Sequence, residues 1–400
     1  MRGLCFSIPG HGHVNPSLAL VHQLVARGEE IDYYCTEEFR EKIEQTGATF
    51  KVIPDYLIVN NNLVHFNTLG VFADLMETTM IVMPYLLEHT KTEAYDYILT
   101  DLYAIWGLVL GEQLKIPTIR FCPSFVQVKG MKQPPHSLLQ ALSSPRKSAP
   151  HLLRISQFFK KIKQQYSLAH IHKLDDFLMK ILPNLCLVLT LPELQPQPHL
   201  FPSQYKFIGP SINPAVRAEV VDFDTERLKN TSVIYISLGS VLSNKRFYNK
   251  CIKAFSNTHF LVIINISVHL DVKDFPAPAN FIIRNYIPQL AILPEVNLFI
   301  THGGMNSAHE GLFYGVPMLV VPQVSDQFMV ADAIHQKQLG QWVNERFFSA
   351  KRLLQVARKI IASPLIKRNL RATSKQIQDN NSAQKAADLL LNSVQGTLPS

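Results

Sequence analysis

The sequence predicts an α/β protein made of two doubly wound parallel-sheet domains, and three observations carry that expectation. Short apolar runs alternate with helical stretches along the whole chain in two series: 3 to 8, 31 to 35, 97 to 100, 117 to 121 and 185 to 190, then 233 to 238, 260 to 265, 281 to 283, 298 to 301 and 317 to 321. Runs of that length separated by helix-period segments are the pattern of parallel strands joined by crossovers. Between the series lies Ile208-Gly-Pro-Ser-Ile-Asn-Pro214, rich in turn formers and followed by the charged Asp222-Phe-Asp-Thr-Glu-Arg227, which reads as an exposed linker. Finally, 400 residues that are 47% apolar and 18% charged exceed what one hydrophobic core organises. The expected domains are 1–212 and 213–400, with a last helix near 376–395 that packs back on the first. Ligands of doubly wound sheets sit beyond the carboxyl ends of the strands, so two facing Rossmann-like halves predict an interdomain cleft.

Composition narrows the function. Five scattered cysteines (Cys5, Cys35, Cys122, Cys186, Cys251) never form C-x-x-C, so neither a disulfide framework nor a thiolate metal site is expected. A cytoplasmic protein is expected, because the chain opens directly on the strand-like Gly3-Leu-Cys-Phe-Ser-Ile8 without a basic and apolar leader. No uncharged apolar run approaches membrane-spanning length. The net charge of +8 comes without a Lys/Arg block or zinc-finger spacing, so nucleic acid is not an expected partner. The excess gathers between Lys129 and Lys173. There Leu152, Ile155, Phe158, Phe159, Ile162 and Tyr166 recur at helical spacing, backed by Arg154, Lys160, Lys161 and Lys163. This basic helix over 151–166 reads first as a solvated face, with membrane-surface contact as the alternative.

After the first strand comes Pro9-Gly-His-Gly-His-Val-Asn-Pro-Ser-Leu18, in which Asn15 suits an N-cap, Pro16 the first helical position and Gly28 the C-terminal stop. His13 then stands at the rim of the sheet beside a helix N-terminus. Tyr97-Ile-Leu-Thr-Asp101 ends another strand in a carboxylate, and strand ends of one parallel sheet open on the same edge. Asp101 steering His13 makes a base able to take a proton from an alcohol, since the carboxylate fixes the tautomer and stabilises the imidazolium formed. The spacing alone leaves the plainer reading open, in which His11 and His13 are turn residues and Asp101 caps the next helix. A dinucleotide fingerprint is a third reading, because Gly10-His-Gly12 resembles the start of G-x-G-x-x-G, but Asn15 replaces the third glycine.

In the second half Leu298-Phe-Ile-Thr301 runs into His302-Gly-Gly-Met-Asn-Ser307 and a helix, so backbone N–H groups and the helix dipole suit a diphosphate, with His302, Gly304, Asn306 and Ser307 around it. The Walker pattern is absent. Glu310 lies three residues after Ser307, so it is either half of a capping box or an acceptor for ribose hydroxyls. Tyr286 follows a strand and offers a ring for base stacking, or a core contact. Asp326 and Gln327 follow Pro317-Met-Leu-Val-Val-Pro322 and offer polar groups to a sugar, while the Gly239-Ser240 turn is either a phosphate donor or a chain reversal.

Together these motifs resemble the GT-B glycosyltransferases of family 1, the UDP-glucosyl and glucuronosyl transferases, and within them the bacterial macrolide glycosyltransferase-like branch. The resemblance spans essentially the whole chain. It is strongest in Gly12-His-Val-Asn-Pro-Ser-Leu18 and in the ordered set Tyr286-Ile-Pro-Gln289, His302-Gly-Gly-Met-Asn-Ser307, Glu310 and Asp326-Gln327. It implies that His13 is the general base and Asp101 its partner. Ser240, His302, Asn306 and Ser307 would hold the diphosphate, Glu310 the ribose, Gln289 the base or ribose, and Asp326 with Gln327 the transferred sugar. One departure is Tyr286, where the family commonly has Trp, which loosens the preference for uridine over thymidine.

The implied reaction is inverting transfer of a sugar, glucose in the first instance, from a UDP-sugar co-substrate to a hydroxyl of a small apolar acceptor such as a macrolide, polyketide or phenolic compound, with no cofactor or metal. Asp222-Phe-Asp224 matches the D-x-D of metal-dependent transferases, but Asp224 reads more simply as a helix N-cap. Phe66, Phe72, Met76, Met80, Met83, Tyr85 and Phe125 offer an apolar lining for the acceptor. A nucleotide-sugar epimerase and a non-catalytic UDP-sugar-binding protein are the alternatives.

Overall fold

A computed structural model of the chain describes residues 1–53, 68–128, 130–131, 145–168, 171, 185–217, 228–239, 244–268 and 270–396. It divides into two units, Met1–Val216 with Asn381–Ser400, and Arg217–Asn380.

The first unit holds seven parallel strands: β1 (Arg2–Phe6), β2 (Glu30–Cys35), β3 (Thr49–Val52), β4 (Tyr97–Asp101), β5 (Thr118–Cys122), β6 (Leu185–Val188) and β7 (Tyr205–Phe207), in the order β3-β2-β1-β4-β5-β6-β7. Side chains alternate between two buried faces. Cys5, Tyr97 and Leu99 join a core with Val14, Leu18 and Val21 of α1 (His11–Ala26) and with Ala386 and Leu390 of α12 (Ser382–Val394). Leu4, Phe6 and Ile98 point the other way, into α3 (Thr68–His89), α4 (Ile105–Leu114) and α5 (Pro145–Gln165), while the short α2 (Arg40–Glu44) follows β2. By length and composition α3 is apolar enough to cross a membrane, yet its Leu75, Met76, Val82, Met83 and Leu86 are core residues. The basic helix α5 buries Ile155 and Ile162 and leaves Leu152 exposed, off the expected apolar face, while Arg154 is anchored to Asp74 at 2.9 Å and Glu77 at 2.6 Å of α3.

The second unit repeats the plan with β8 (Val233–Ser237), β9 (Leu261–Asn265), β10 (Phe281–Arg284), β11 (Leu298–Thr301), β12 (Met318–Val320) and β13 (Gly340–Trp342), all parallel in the order β10-β9-β8-β11-β12-β13. Its helices are α6 (Lys245–Phe255), α7 (Gln289–Ile292), α8 (Met305–Phe313), α9 (Ser325–Gln336), α10 (Ala350–Ala362) and α11 (Pro364–Asp379), with α6 packed on α10 and α8 on α11. In both sheets the winding reverses beside the first strand, between β1 and β4 and between β8 and β11. That is where such sheets open a crevice for ligands.

Every strand expected from an apolar run forms. The runs do not announce β3, β7 and β13, which are sheet edges of four, three and three residues with partly exposed side chains. The junction between units falls at Val216 and Arg217 rather than at 212, because Val216 still belongs to the first core. The helix expected near 376–395 is two helices. Asn381, in the left-handed region at φ 49°, breaks α11 from α12, and α12 lies on α1 with Arg27 Nη1 2.7 Å from Asp388.

The start of α1 also differs. Gly10, extended at φ −167°, is the N-cap, and its carbonyl accepts from the N–H groups of His13 and Val14 at 2.9 Å each. Asn15 and Pro16 are therefore inside the helix, and Pro16, the sixth helical residue, supplies no i→i−4 N–H to the Gly12 carbonyl. Gly28 closes α1 as expected: its φ is +85°, its N–H donates to the Val25 carbonyl, and Glu29 N–H donates to that of Leu24.

Candidate active site

The early helix start moves His13 into the first turn of α1, directly past the end of β1. Its neighbour across the winding reversal is β4, with Phe6 in register with Thr100, so Asp101 at the tip of β4 faces it. His13 Nδ1 and Asp101 Oδ2 are 2.7 Å apart, with the carboxylate fully buried and the imidazole partly exposed. The second oxygen of Asp101 accepts the Tyr103 N–H at 2.8 Å, and the Tyr103 ring stands edge-on to His13 with centroids 5.7 Å apart. A carboxylate pinned on one oxygen and bonded to Nδ1 through the other leaves Nε2 as the lone-pair nitrogen, the form a proton acceptor requires. Asp101 thus binds the ring and the following turn at once.

Two contributors escape a sequence reading. Tyr103 carries no pattern of its own. Arg120 does leave a signal, a lone charge inside the apolar Thr118-Ile-Arg-Phe-Cys122. It is buried, and its Nη2 donates to the Leu102 carbonyl at 2.8 Å, holding the backbone between Asp101 and Tyr103. Burial lowers its pKa, opposed by Cys186, Tyr205, Cys122 and Asp101 around it.

In the second unit His302 leaves the end of β11 and its ring packs against two glycines. A Cβ at Gly304 would lie 2.5 Å from its Nε2, and one at Gly239 2.9 Å from its Cε1. Burial lowers the His302 pKa to about 4, partly offset by the Ser237 backbone, so the ring is neutral near pH 7. Gly304 is also the N-cap of α8 and has no side chain to cap it. The first-turn N–H groups of a nine-residue helix, with a neutral imidazole beside them, suit an anion.

Glu310 is no half of a capping box. It is buried at 1% exposure, and its Oε1 accepts from Arg217 Nη1 at 2.7 Å and from Asn306 Nδ2 at 2.8 Å, while Gln289 Nε2 donates to Oε2 and lies 3.4 Å from Ser307 Oγ. Four expected donor-site residues, Gln289, Asn306, Ser307 and Glu310, are thus one hydrogen-bonded cluster. The fifth member, Arg217, leaves no sequence signal: a single arginine after the linker turn has no spacing to mark it.

The remaining positions are less convergent. Tyr286, two residues past β10, is 54% exposed. Asp326 is exposed in the first turn of α9, whereas Gln327 is buried, and its Oε1 accepts from the Gln323 and Val324 N–H groups at 2.8 and 3.3 Å. Only its Nε2 remains for a ligand. Ser240, Phe66 and the Asp222-Phe-Asp224 pair lie outside the described residues. Of the apolar residues expected to line an acceptor pocket, Met76 and Met83 are core, and Tyr85 donates to the Val52 carbonyl at 3.1 Å. A small cleft by the ends of β1 and β2 is walled instead by Ser7, Cys35, Ile53, Thr78, Val82 and Trp106.

One residue next to this cluster predicts a pH dependence. His309 on α8 is 4% exposed, its Nε2 has no partner among the described residues, and burial lowers its pKa from 6.5 to about 3. The unfolded chain therefore binds a proton below about pH 6.5 that the folded chain refuses, and stability falls as pH drops through that window. The slope from this group approaches about 1.4 kcal/mol per pH unit. Urea midpoints between pH 7 and 4 should flatten in His309→Leu; an unchanged slope would refute the assignment.

Residues 193–383 match the family model described as UDP-glucoronosyl and UDP-glucosyl transferase. The chain is 31% identical over 366 residues to an uncharacterized UDP-glucosyltransferase, YdhE, of Bacillus subtilis, covering 90% of this chain and 89% of that one. It is 27% identical over 406 residues to the oleandomycin glycosyltransferase of Streptomyces antibioticus, covering 96% and 89%. The solved glycosyltransferase of kitacinnamycin superposes with a TM-score of 0.84 at 26% identity, covering 100% of this chain and 99% of that one. These matches leave no place for the epimerase or nicotinamide readings. Two parallel-sheet units, a His–Asp pair at one winding reversal, an uncapped helix with a carboxylate cluster at the other, and relatives matched nearly end to end make this chain an enzyme of the UDP-glycosyltransferase family, the family 1 glycosyltransferases of GT-B fold.

Proposed function

We propose that the enzyme moves a hexose from a UDP-sugar onto a hydroxyl of a small apolar natural product, with inversion at the anomeric carbon. The 2.7 Å pairing of His13 with Asp101 carries this reading. His13 Nε2 takes the hydroxyl proton as the acceptor oxygen attacks the anomeric carbon. The bond to the diphosphate breaks, and the charge left on UDP is met by the α8 N-terminus with His302, Asn306 and Ser307. Ser240 is assigned to the same diphosphate, Glu310 and Gln289 to the nucleoside, and Tyr286 to the base through its exposed ring. Asp326 and the Nε2 of Gln327 are assigned to the sugar. No step in this scheme uses a metal, so transfer is expected to persist in excess chelator, and loss restored by Mn²⁺ would contradict it. An apolar acceptor is favoured by the Val82, Ile53 and Trp106 wall beside β1 and by the natural products, oleandomycin and kitacinnamycin, in the names of two relatives.

The test is thermal unfolding with UDP, dTDP or NAD added separately. A ligand at about a hundred times its dissociation constant contributes roughly 2.7 kcal/mol, a shift of several degrees for units of this size. Stabilisation by UDP is expected. Stabilisation by NAD alone would overturn the proposal.

A further inference from the structure

The Glu310 carboxylate, read above as the ribose acceptor, is already mostly occupied. A carboxylate offers about four acceptor positions. Both positions on Oε1 are taken, by Arg217 Nη1 at 2.7 Å and Asn306 Nδ2 at 2.8 Å, and one on Oε2 is taken by Gln289 Nε2. The guanidinium is the partner hardest to displace. Its side chain is 11% exposed and that of Glu310 is 1% exposed, so pushing Arg217 aside strands a charge out of water, which a single incoming hydroxyl does not repay.

We infer that Arg217 determines nucleotide choice: with Asn306 beside it on Oε1 of Glu310 and Gln289 on Oε2, it leaves one open position, on Oε2, so the carboxylate reads a single ribose hydroxyl and the site accepts 2′-deoxyribonucleoside diphosphates as readily as ribonucleoside diphosphates. The 3′-hydroxyl, common to both sugars, takes the open position. The 2′-hydroxyl finds no free acceptor on the carboxylate. This inference rests on the donor-site reading of Glu310, but it is independent of the acceptor and of His13.

The experiment is isothermal titration of the full chain with UDP, dUDP and dTDP. The pair UDP and dUDP differs only in the 2′-hydroxyl, and their dissociation constants are expected to agree within about threefold. Arg217→Met opens a position on Oε1, so preference for UDP over dUDP should rise to about tenfold, the ratio of one hydrogen bond to a charged acceptor. Arg217→Lys, which keeps a cation there, should restore the wild-type ratio. A wild-type preference for UDP over dUDP of tenfold or more overturns the inference, and needs no variant to fold. So does an Arg217→Met protein that binds with an unchanged ratio. Failure of all three nucleotides to bind overturns the donor-site reading itself, a different and recognisable result.

Discussion

Replacing His13 by alanine is expected to lower sugar transfer about 10²- to 10⁴-fold, the range lost with a positioned general base, while the rise in unfolding temperature caused by UDP stays as in the wild type. The split follows from where the groups lie. His13 belongs to the first unit, whereas every residue assigned to the nucleotide belongs to the second. Asp101→Asn should be nearly as damaging, although it changes no volume. The asparagine carbonyl can keep the Tyr103 N–H, but its amide then points two hydrogens at His13 Nδ1, which forces the proton onto Nε2, and the nitrogen facing the acceptor can no longer accept. Steady-state rates of both variants decide the matter. An Asp101→Asn enzyme that keeps a third or more of the wild-type turnover would show that the carboxylate does not set the tautomer.

The second large effect is on stability. Glu310→Ala leaves Arg217 buried with no counter-charge, and breaking a buried pair in this way costs about 3–5 kcal/mol. For a unit of this size the loss is on the order of 10 °C in unfolding temperature. Pairing it with Arg217→Met removes the stranded charge, so the double variant should recover more than half of the loss. Calorimetry of the two single variants and the double variant gives the coupling directly. A Glu310→Ala protein destabilised by less than about 1 kcal/mol would mean that the guanidinium reaches solvent, and the nucleotide argument built on its immobility would fall too.

Local pattern was enough for the sheet centres and not for what lies between elements. Strands such as Val233–Ser237 are buried on both faces, so continuous apolar runs mark them, whereas the edge strand Tyr205–Phe207 is half-exposed and looks like loop. The start of α1 is not legible because Asn15 and Pro16 are good cap and first-turn residues by type, while the real cap is Gly10, which contributes only backbone. His13, Asp101 and the His302 to Glu310 segment were legible because each stands at a strand end next to a recognisable turn. The partners of those residues were not. Ser307 followed by Glu310 reads equally well as a capping box, and only the fold shows that Glu310 meets Arg217, a residue 93 positions earlier in the chain. Gln327 illustrates the converse: its type suits a sugar, yet its carbonyl is already committed to two backbone N–H groups of its own turn.

The second unit, 217–380, is an insertion within the first, which resumes only at Asn381. During synthesis the second unit therefore emerges complete while the first still lacks α12, and the α1 face that receives Ala386, Ala387 and Leu390 waits uncovered. The order of completion is thus the reverse of chain order: the unit that opens the sequence is the last to be sealed. A nascent chain halted just before Ser382 carries the whole second unit and a first unit whose core is still open along α1, the kind of species a quality-control protease or chaperone meets first.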